Sequence, residues 1–214
     1  MLFTNGHDPA LTGQTADPKG KTPEVKTPEV KTPEVKTPEV KTPEGCTEIG
    51  SPAELRALLG EPFPLVIEKV HDRLTDADRD LLTRSPFCLL ATSDSRGNCD
   101  VSPRGDGPGF THVLDASTIA LPDRPGNRRA DSFLNILDNP HAGLLYLIPG
   151  SKDVLRVNGR ARILTDAPFF DAMTRDGKRP ALALLLDIDE IFLHCPQSLR
   201  RSGIWDPASW EQRD

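Results

Sequence analysis

Between Asp100 and Asp131 the chain concentrates the side chains whose types and spacing could do chemistry. Ser102-Pro103-Arg104-Gly105-Asp106 follows a predicted strand. Pro122-Asp123-Arg124-Pro125-Gly126-Asn127-Arg128-Arg129 then leads from a strand into a helix. Arginines and an asparagine at a helix start suit an anion, because the first backbone N–H groups lack partners and the dipole favours negative charge. Guanidinium adds a forked donor that matches phosphate oxygens. The same residues admit a second reading, a solvated loop in which Arg124 and Arg128 pair with Asp123 and Asp131. The local sequence leaves both open. Arg104-Gly105-Asp106 is not read as an adhesion signal, since Met1 to Ala10 has neither the basic start nor the apolar core of an export signal.

Two further groups carry polar chemistry. His194-Cys195 could suggest a nucleophile or a metal pair, but neighbours on a strand point to opposite faces, so a structural role is expected. In Leu155-Arg156-Val157-Asn158-Gly159-Arg160 the alternation puts Arg156, Asn158 and Arg160 on one face. That face either lines a cleft, where Arg156 or Asn158 would meet a substrate, or is solvated. Cys46, Cys88, Cys99 and Cys195 form no Cys-x-x-Cys and no Cys/His set. Neither a zinc site nor a dithiol motif is encoded, and all four are expected to be small, mostly buried thiols.

The elements that must position these residues are legible from periodicity and punctuation. Ser51-Pro52-Ala53-Glu54 reads as a capping box opening a helix with Leu55, Leu58 and Leu59 on one face, stopped by Gly60 and Pro62. Thr75 and Asp78 open a second helix carrying Leu81 and Leu82, which ends before Ser85-Pro86. Strands are predicted at 87–92, 99–102, 110–114, 118–121, 142–148 and 154–164, and 181–195 is a long apolar stretch. A helix over 129–137, with Phe133, Leu134, Ile136 and Leu137 in its stripe, interrupts them, and Asp166 is expected to cap another through Met173. Short strands in hairpins with a few inserted helices predict a mainly β, antiparallel barrel.

The first fifty residues differ in texture. From Lys21 to Glu44 the pentapeptide Lys-Thr-Pro-Glu-Val recurs. A proline in each repeat and one Val per repeat predict an extended, solvated tail rather than a core, with residues 51–214 forming the folded domain. Over the 214 residues, 26 Lys+Arg against 32 Asp+Glu give a net charge of −6, which excludes a basic nucleic-acid surface spanning the chain. Aromatic residues at 5% argue against a base-stacking platform. No apolar run approaches the roughly 20 residues of a membrane helix, and a cytoplasmic protein is expected.

Four segments carry a more specific signal. They are LLATSDSRGNCDVSPRGDGPGF (89–110), NILDNPHAGLLYLIPG (135–150), LRVNGRARI (155–163) and FLHCPQSLRRSGIWDP (192–207). In order and content they resemble the pyridoxamine 5'-phosphate oxidase-related flavoproteins, in particular the branch with an SPRGD turn and a PDRPGNRR loop. The resemblance covers most of 85–207 and implies an FMN-binding split barrel.

It also implies roles. Asn127, Arg128 and Arg129 would hold the FMN phosphate, and the strand end with Pro122, Asp123 and Arg124 would meet the ribityl chain and phosphate. Ser102 and Arg104 would lie along the isoalloxazine ring. Arg200, Arg201 and Trp205 would come from a second subunit, because the flavin of this fold sits at a dimer interface. The expected function is an FMN-dependent oxidoreductase, a homodimer acting on a small molecule with NAD(P)H as a candidate reductant, with no metal and no side chain named as catalytic. A non-catalytic flavin carrier or sensor is the alternative, and a barrel that has lost its flavin site a third. The Ser102–Gly109 turn and the C-terminal segment depart from true pyridoxamine phosphate oxidases, whose substrate-phosphate motif is not seen here.

Overall fold

The computed structural model describes residues 41–210; the repeat from 21 to 40 lies outside the described residues. The chain divides between Glu54 and Leu55 into two units, and every strand belongs to the second. Residues 41–50 form no helix or strand and are exposed.

Seven antiparallel strands form one sheet in the order β2-β1-β5-β6-β7-β4-β3, the split barrel expected from the sequence. They are β1 (Phe87–Ser93), β2 (Cys99–Gly105), β3 (His112–Val113), β4 (Thr118–Pro122), β5 (His141–Leu147), β6 (Val154–Leu164) and β7 (Ala183–Leu193). Alternation of apolar and polar residues drives this arrangement. In β6, Leu155, Val157 and Ala161 are buried, while Arg156, Arg160 and Arg162 are exposed. Leu90, Ile119, Leu144, Tyr146, Val157, Leu186 and Ile191 fill the barrel. The Tyr146 hydroxyl, fully enclosed, is 3.0 Å from Thr111 Oγ1, so the core's large polar group is satisfied.

Among the described residues, five α-helices accompany the strands: α1 (Pro52–Leu59), α2 (Pro64–Glu68), α3 (Asp76–Arg84), α4 (Asp131–Asp138) and α5 (Gln197–Ser202). The helix read from Thr75 and Asp78 opens there with a capping box, Asp78 N–H donating to Thr75 Oγ1 and Thr75 N–H donating to the Asp78 carboxylate. The leucine face of α1 is not covered, since Leu58 and Leu59 are exposed. In α4, Ile136 is buried but Leu134 and Leu137 are not, so the apolar stripe is narrower than its residue types suggest.

Three expectations need correction. The helix expected from Asp166 to Met173 is a 3-10 turn over Asp171–Met173, because Phe170 and Met173 turn inward to a small second core and Asp166 pairs with Arg179 instead of capping. The helix expected from Arg129 begins at Asp131, because Arg128 (φ 64°) and Ala130 (φ 59°) adopt left-handed backbone that cannot continue a right-handed helix. Of the cysteines only Cys88 is buried; Cys46, Cys99 and Cys195 sit in loops or at a strand end and are exposed. Burial pushes the Cys88 thiol up to about 12, which makes it an inert core group.

Candidate functional site

Strand β2 lies at the sheet edge, where Pro103 costs no ladder hydrogen bond inside the sheet. Its alternation turns Asp100, Ser102 and Arg104 to one half-buried face. That face, the loop after β4 and the first turn of α4 enclose a cavity of about 720 Å³. Its walls include Ser102, Arg104, Asp123, Arg124, Asn127, Arg128, Arg129, Asp131, Ser132 and Phe133. Of the residues singled out from sequence, Ser102, Arg104, Asp123, Arg124, Asn127, Arg128 and Arg129 meet here. Pro122 borders a small adjoining cavity with Arg104 and Phe133. Arg201, in α5, and Trp205, in the turn beyond it, do not line the cavity of their own chain. Arg200 is likewise absent from it.

The arginines differ in their commitments. Arg104 Nη1 is 3.2 Å from Asp123 Oδ1, and its guanidinium lies 5.0 Å from the centre of the Phe133 ring. Its Nε is buried without a hydrogen-bond partner. Burial raises the Asp123 carboxyl above its ordinary range, against the pull of Arg104 and Arg124. Arg124 is anchored, its Nε donating to Asp106 Oδ2 at 2.8 Å and its Nη2 to the Met173 carbonyl at 2.8 Å. Arg175 reaches the other oxygen of Asp106 at 3.0 Å, so this carboxylate ties the SPRGD turn to the 175–178 hairpin.

At the loop, Arg129 Nε donates to Asp131 Oδ2 at 2.8 Å while its N–H donates to Asn127 Oδ1 at 3.0 Å. Arg128 makes no ion pair with any described residue. No side chain caps α4. The cavity therefore has a cationic end at 127–129 beside an uncapped helix start, and a mixed end at Ser102, Arg104 and Phe133. The pairing of Arg124 and Arg128 with Asp123 and Asp131 that the sequence allowed is not formed; Asp106, Arg104 and Arg129 take those places.

Several participants were missed from sequence. Asp100 accepts from Ser102 and Ser132, Asp106 holds Arg124, and Phe133 faces Arg104. Asp100 had a signal, since it is two residues from Ser102 on one strand and so shares its face. Ser132 and Phe133 had none, because their side chains reach the site only after two left-handed residues set the entry angle of α4.

The sequence model of the pyridoxamine 5'-phosphate oxidase family matches residues 74–195, more than half of the chain and all seven strands. The chain belongs to the pyridoxamine 5'-phosphate oxidase family. Among solved structures, this family member is similar to HupZ of Group A Streptococcus, at 18% identity over 56% of this chain and 93% of that one, with a TM-score of 0.46. It is also similar to HutZ, the heme storage protein of Vibrio cholerae, at 16% identity over 56% and 94%, TM-score 0.41. A third is a protein of Clostridium acetobutylicum related to general stress protein 26, at 15% identity over 55% and 87%, TM-score 0.41. No curated protein matches the chain in sequence. Among the described residues no helix is long and apolar enough to cross a membrane.

Proposed function

We propose that the chain is an FMN-binding flavoprotein acting as an oxidoreductase on a small molecule, with the 720 Å³ cavity as its flavin site. The observation that carries this reading is the polarity of the cavity. An uncommitted Arg128, the outer nitrogens of Arg129 and an uncapped helix start stand at one end, and the Arg104 guanidinium at the other. The first group suits a phosphate dianion, since charge-assisted hydrogen bonds and unpaired helical N–H groups act on the same oxygens. The second suits a carbonyl-rich heterocycle, because the Arg104 guanidinium lines the cavity and, among the described residues, only its Nη1 is hydrogen-bonded, to Asp123, which leaves N–H donors for ring acceptors. The volume falls within the roughly 300–1,000 Å³ of small-molecule sites. FMN, when bound, supplies the hydride and electron chemistry; the chain binds, orients and sets the electrostatics.

Arg124 is held in the cavity wall by Asp106 and two carbonyls, which take three of its five N–H groups. Arg201 and Trp205 enter only if a second subunit brings them, so the reading includes a homodimer.

The test is a flavin spectrum of the purified chain, followed by titration with FMN and riboflavin. Arg128→Ala should weaken FMN about ten- to a hundredfold, the equivalent of one charge-assisted hydrogen bond, and leave riboflavin nearly untouched. Bleaching by NAD(P)H or a substrate, with reoxidation in air, distinguishes an oxidoreductase from a carrier. A chain that binds FMN and riboflavin equally well would place the phosphate elsewhere.

A further inference from the structure

Three oxygens beside the cavity form a closed triangle, and two of them belong to residues that line it, Ser102 and Ser132. Asp100 Oδ2 is 2.7 Å from Ser102 Oγ and 2.6 Å from Ser132 Oγ, and the two hydroxyls are 2.8 Å apart. All three edges have hydrogen-bond length, and each needs one proton. An ionised carboxylate has none and each hydroxyl has one, so two protons serve three edges. If both hydroxyls donate to Asp100, their oxygens face each other bare. If Ser102 donates to Ser132, the Ser102–Asp100 edge is bare. Protonating Asp100 would close the triangle, but the hydrogen bond from Ser132 outweighs partial burial and, with Ser102 and the nearby Arg104, holds the carboxyl below its ordinary range. Ser132 is buried, while Ser102 is half-buried and faces the cavity.

We infer that Asp100, Ser102 and Ser132 form an acceptor-only corner that takes an N–H or O–H donor of the bound ligand and turns its phosphate away. The inference rests on the flavin reading. It adds an orientation: the phosphate lies at 127–129, and a donor of the ring or of the ribityl chain lies at Ser102. Asp100 is a positioning residue, acting through the two serines. An isolated phosphate, which at neutral pH mainly offers acceptors, gains nothing at this corner.

The experiment measures the affinity of FMN, 3-methyl-FMN and FMN analogues lacking single ribityl hydroxyls, by quenching of flavin fluorescence. In the wild-type chain one of these analogues should bind about tenfold or more weakly than FMN, identifying the donor as ring N–H or chain hydroxyl. Asp100→Asn brings amide protons to the triangle, and Ser132→Ala removes one oxygen and leaves one edge with one proton. Asp100→Asn should shrink that difference to about twofold, whereas Ser132→Ala, in which Ser102 still donates to Asp100 and keeps its lone pairs free, should retain it, even if FMN affinity itself changes little. Analogues that all bind wild type like FMN, or a difference unmoved in Asp100→Asn, would overturn the corner. Failure of wild type to bind FMN at all would overturn the flavin reading and this inference with it.

Discussion

At the scale of single residues, the site is held by pairs that cross long stretches of sequence. Arg104 and Asp123 are about three-quarters enclosed, at 23% and 26% side-chain exposure. Removing the guanidinium leaves a half-buried carboxylate without its partner, and such losses cost about 1–3 kcal/mol. Arg104→Ala should therefore lower thermal stability, and adding Asp123→Asn should restore part of it; equal effects of Asp123→Asn in both backgrounds would mean that the pair is energetically silent. The pH dependence has a definite sign. Asp123 is raised in the folded chain, so the folded state holds that proton more tightly, and its contribution to stability falls as pH rises from about 3.8 through the folded value. Without Arg104 the window should extend to higher pH. The members of this pair were legible as site residues, because strand ends rich in Arg and Asp are chemically conspicuous. The pairing itself was not, since Arg124 is nearer in sequence to Asp123 than Arg104, the partner the fold supplies.

Elements explain both the successes and the errors of reading. Strands with period-two alternation, such as β6, lie where the pattern puts them, and the Thr75–Asp78 cap forms because its partners are three residues apart. The start of α4 was misplaced because left-handed backbone falls on Arg128 and Ala130, residue types that do not announce it. One irregularity matters more than its size. The β6–β7 register shifts between Asn158 and Gly159, and a Cβ on Gly159 would stand 2.0 Å from the Asp187 carbonyl oxygen. Backbone cannot yield as a flexible side chain does, so Gly159→Ala should destabilise by about 1–3 kcal/mol in denaturant unfolding. A second element, the strap from Lys69 to Leu74, is tied to β7 by His71 N–H to the Ile191 carbonyl and the reciprocal bond. His71 Nε2 is 2.8 Å from the Asp78 carboxylate and Nδ1 2.9 Å from the Lys69 carbonyl. Both partners are acceptors, so both ring nitrogens must donate, which favours the imidazolium. Burial lowers its pKa, but the bonds and charges of Asp78, Lys69 and Asp72 together raise it above 6.5. This contribution is complete below 6.5 and is lost as pH rises through the folded value. The melting temperature of wild type should exceed that of His71→Gln most at about pH 5.5, with the gap narrowing by about pH 8.5; a gap that is constant with pH would show that the ring acts by packing alone.

At the scale of the whole molecule, one chain leaves unfinished surfaces. A groove of about 350 Å³ on the sheet is lined by Leu89, Ala91, Val101 and Leu145, with Arg156, Asn158 and His194 among the other walls. Val101 is 61% exposed on an edge strand, where an isolated chain gains nothing from an apolar side chain. The 720 Å³ cavity meanwhile is not lined by Arg201 or Trp205 of its own chain, and on the proposed reading a partner subunit would bring them. A two-fold related copy would address both deficits at once, since an isologous interface covers the same patch on each chain and completes two equivalent sites. Sedimentation should then give about twice the 23.4 kDa of the chain. Val101→Asp should shift the protein toward monomer, because burying an unpaired carboxylate opposes association. The decisive feature is coupling: FMN affinity should fall with dimer content in Val101→Asp, although position 101 is outside the cavity. Trp205→Ala should weaken FMN while the dimer persists. A monomer that retains full FMN affinity would mean that the 720 Å³ cavity is complete within one chain and that the C-terminal segment serves another purpose.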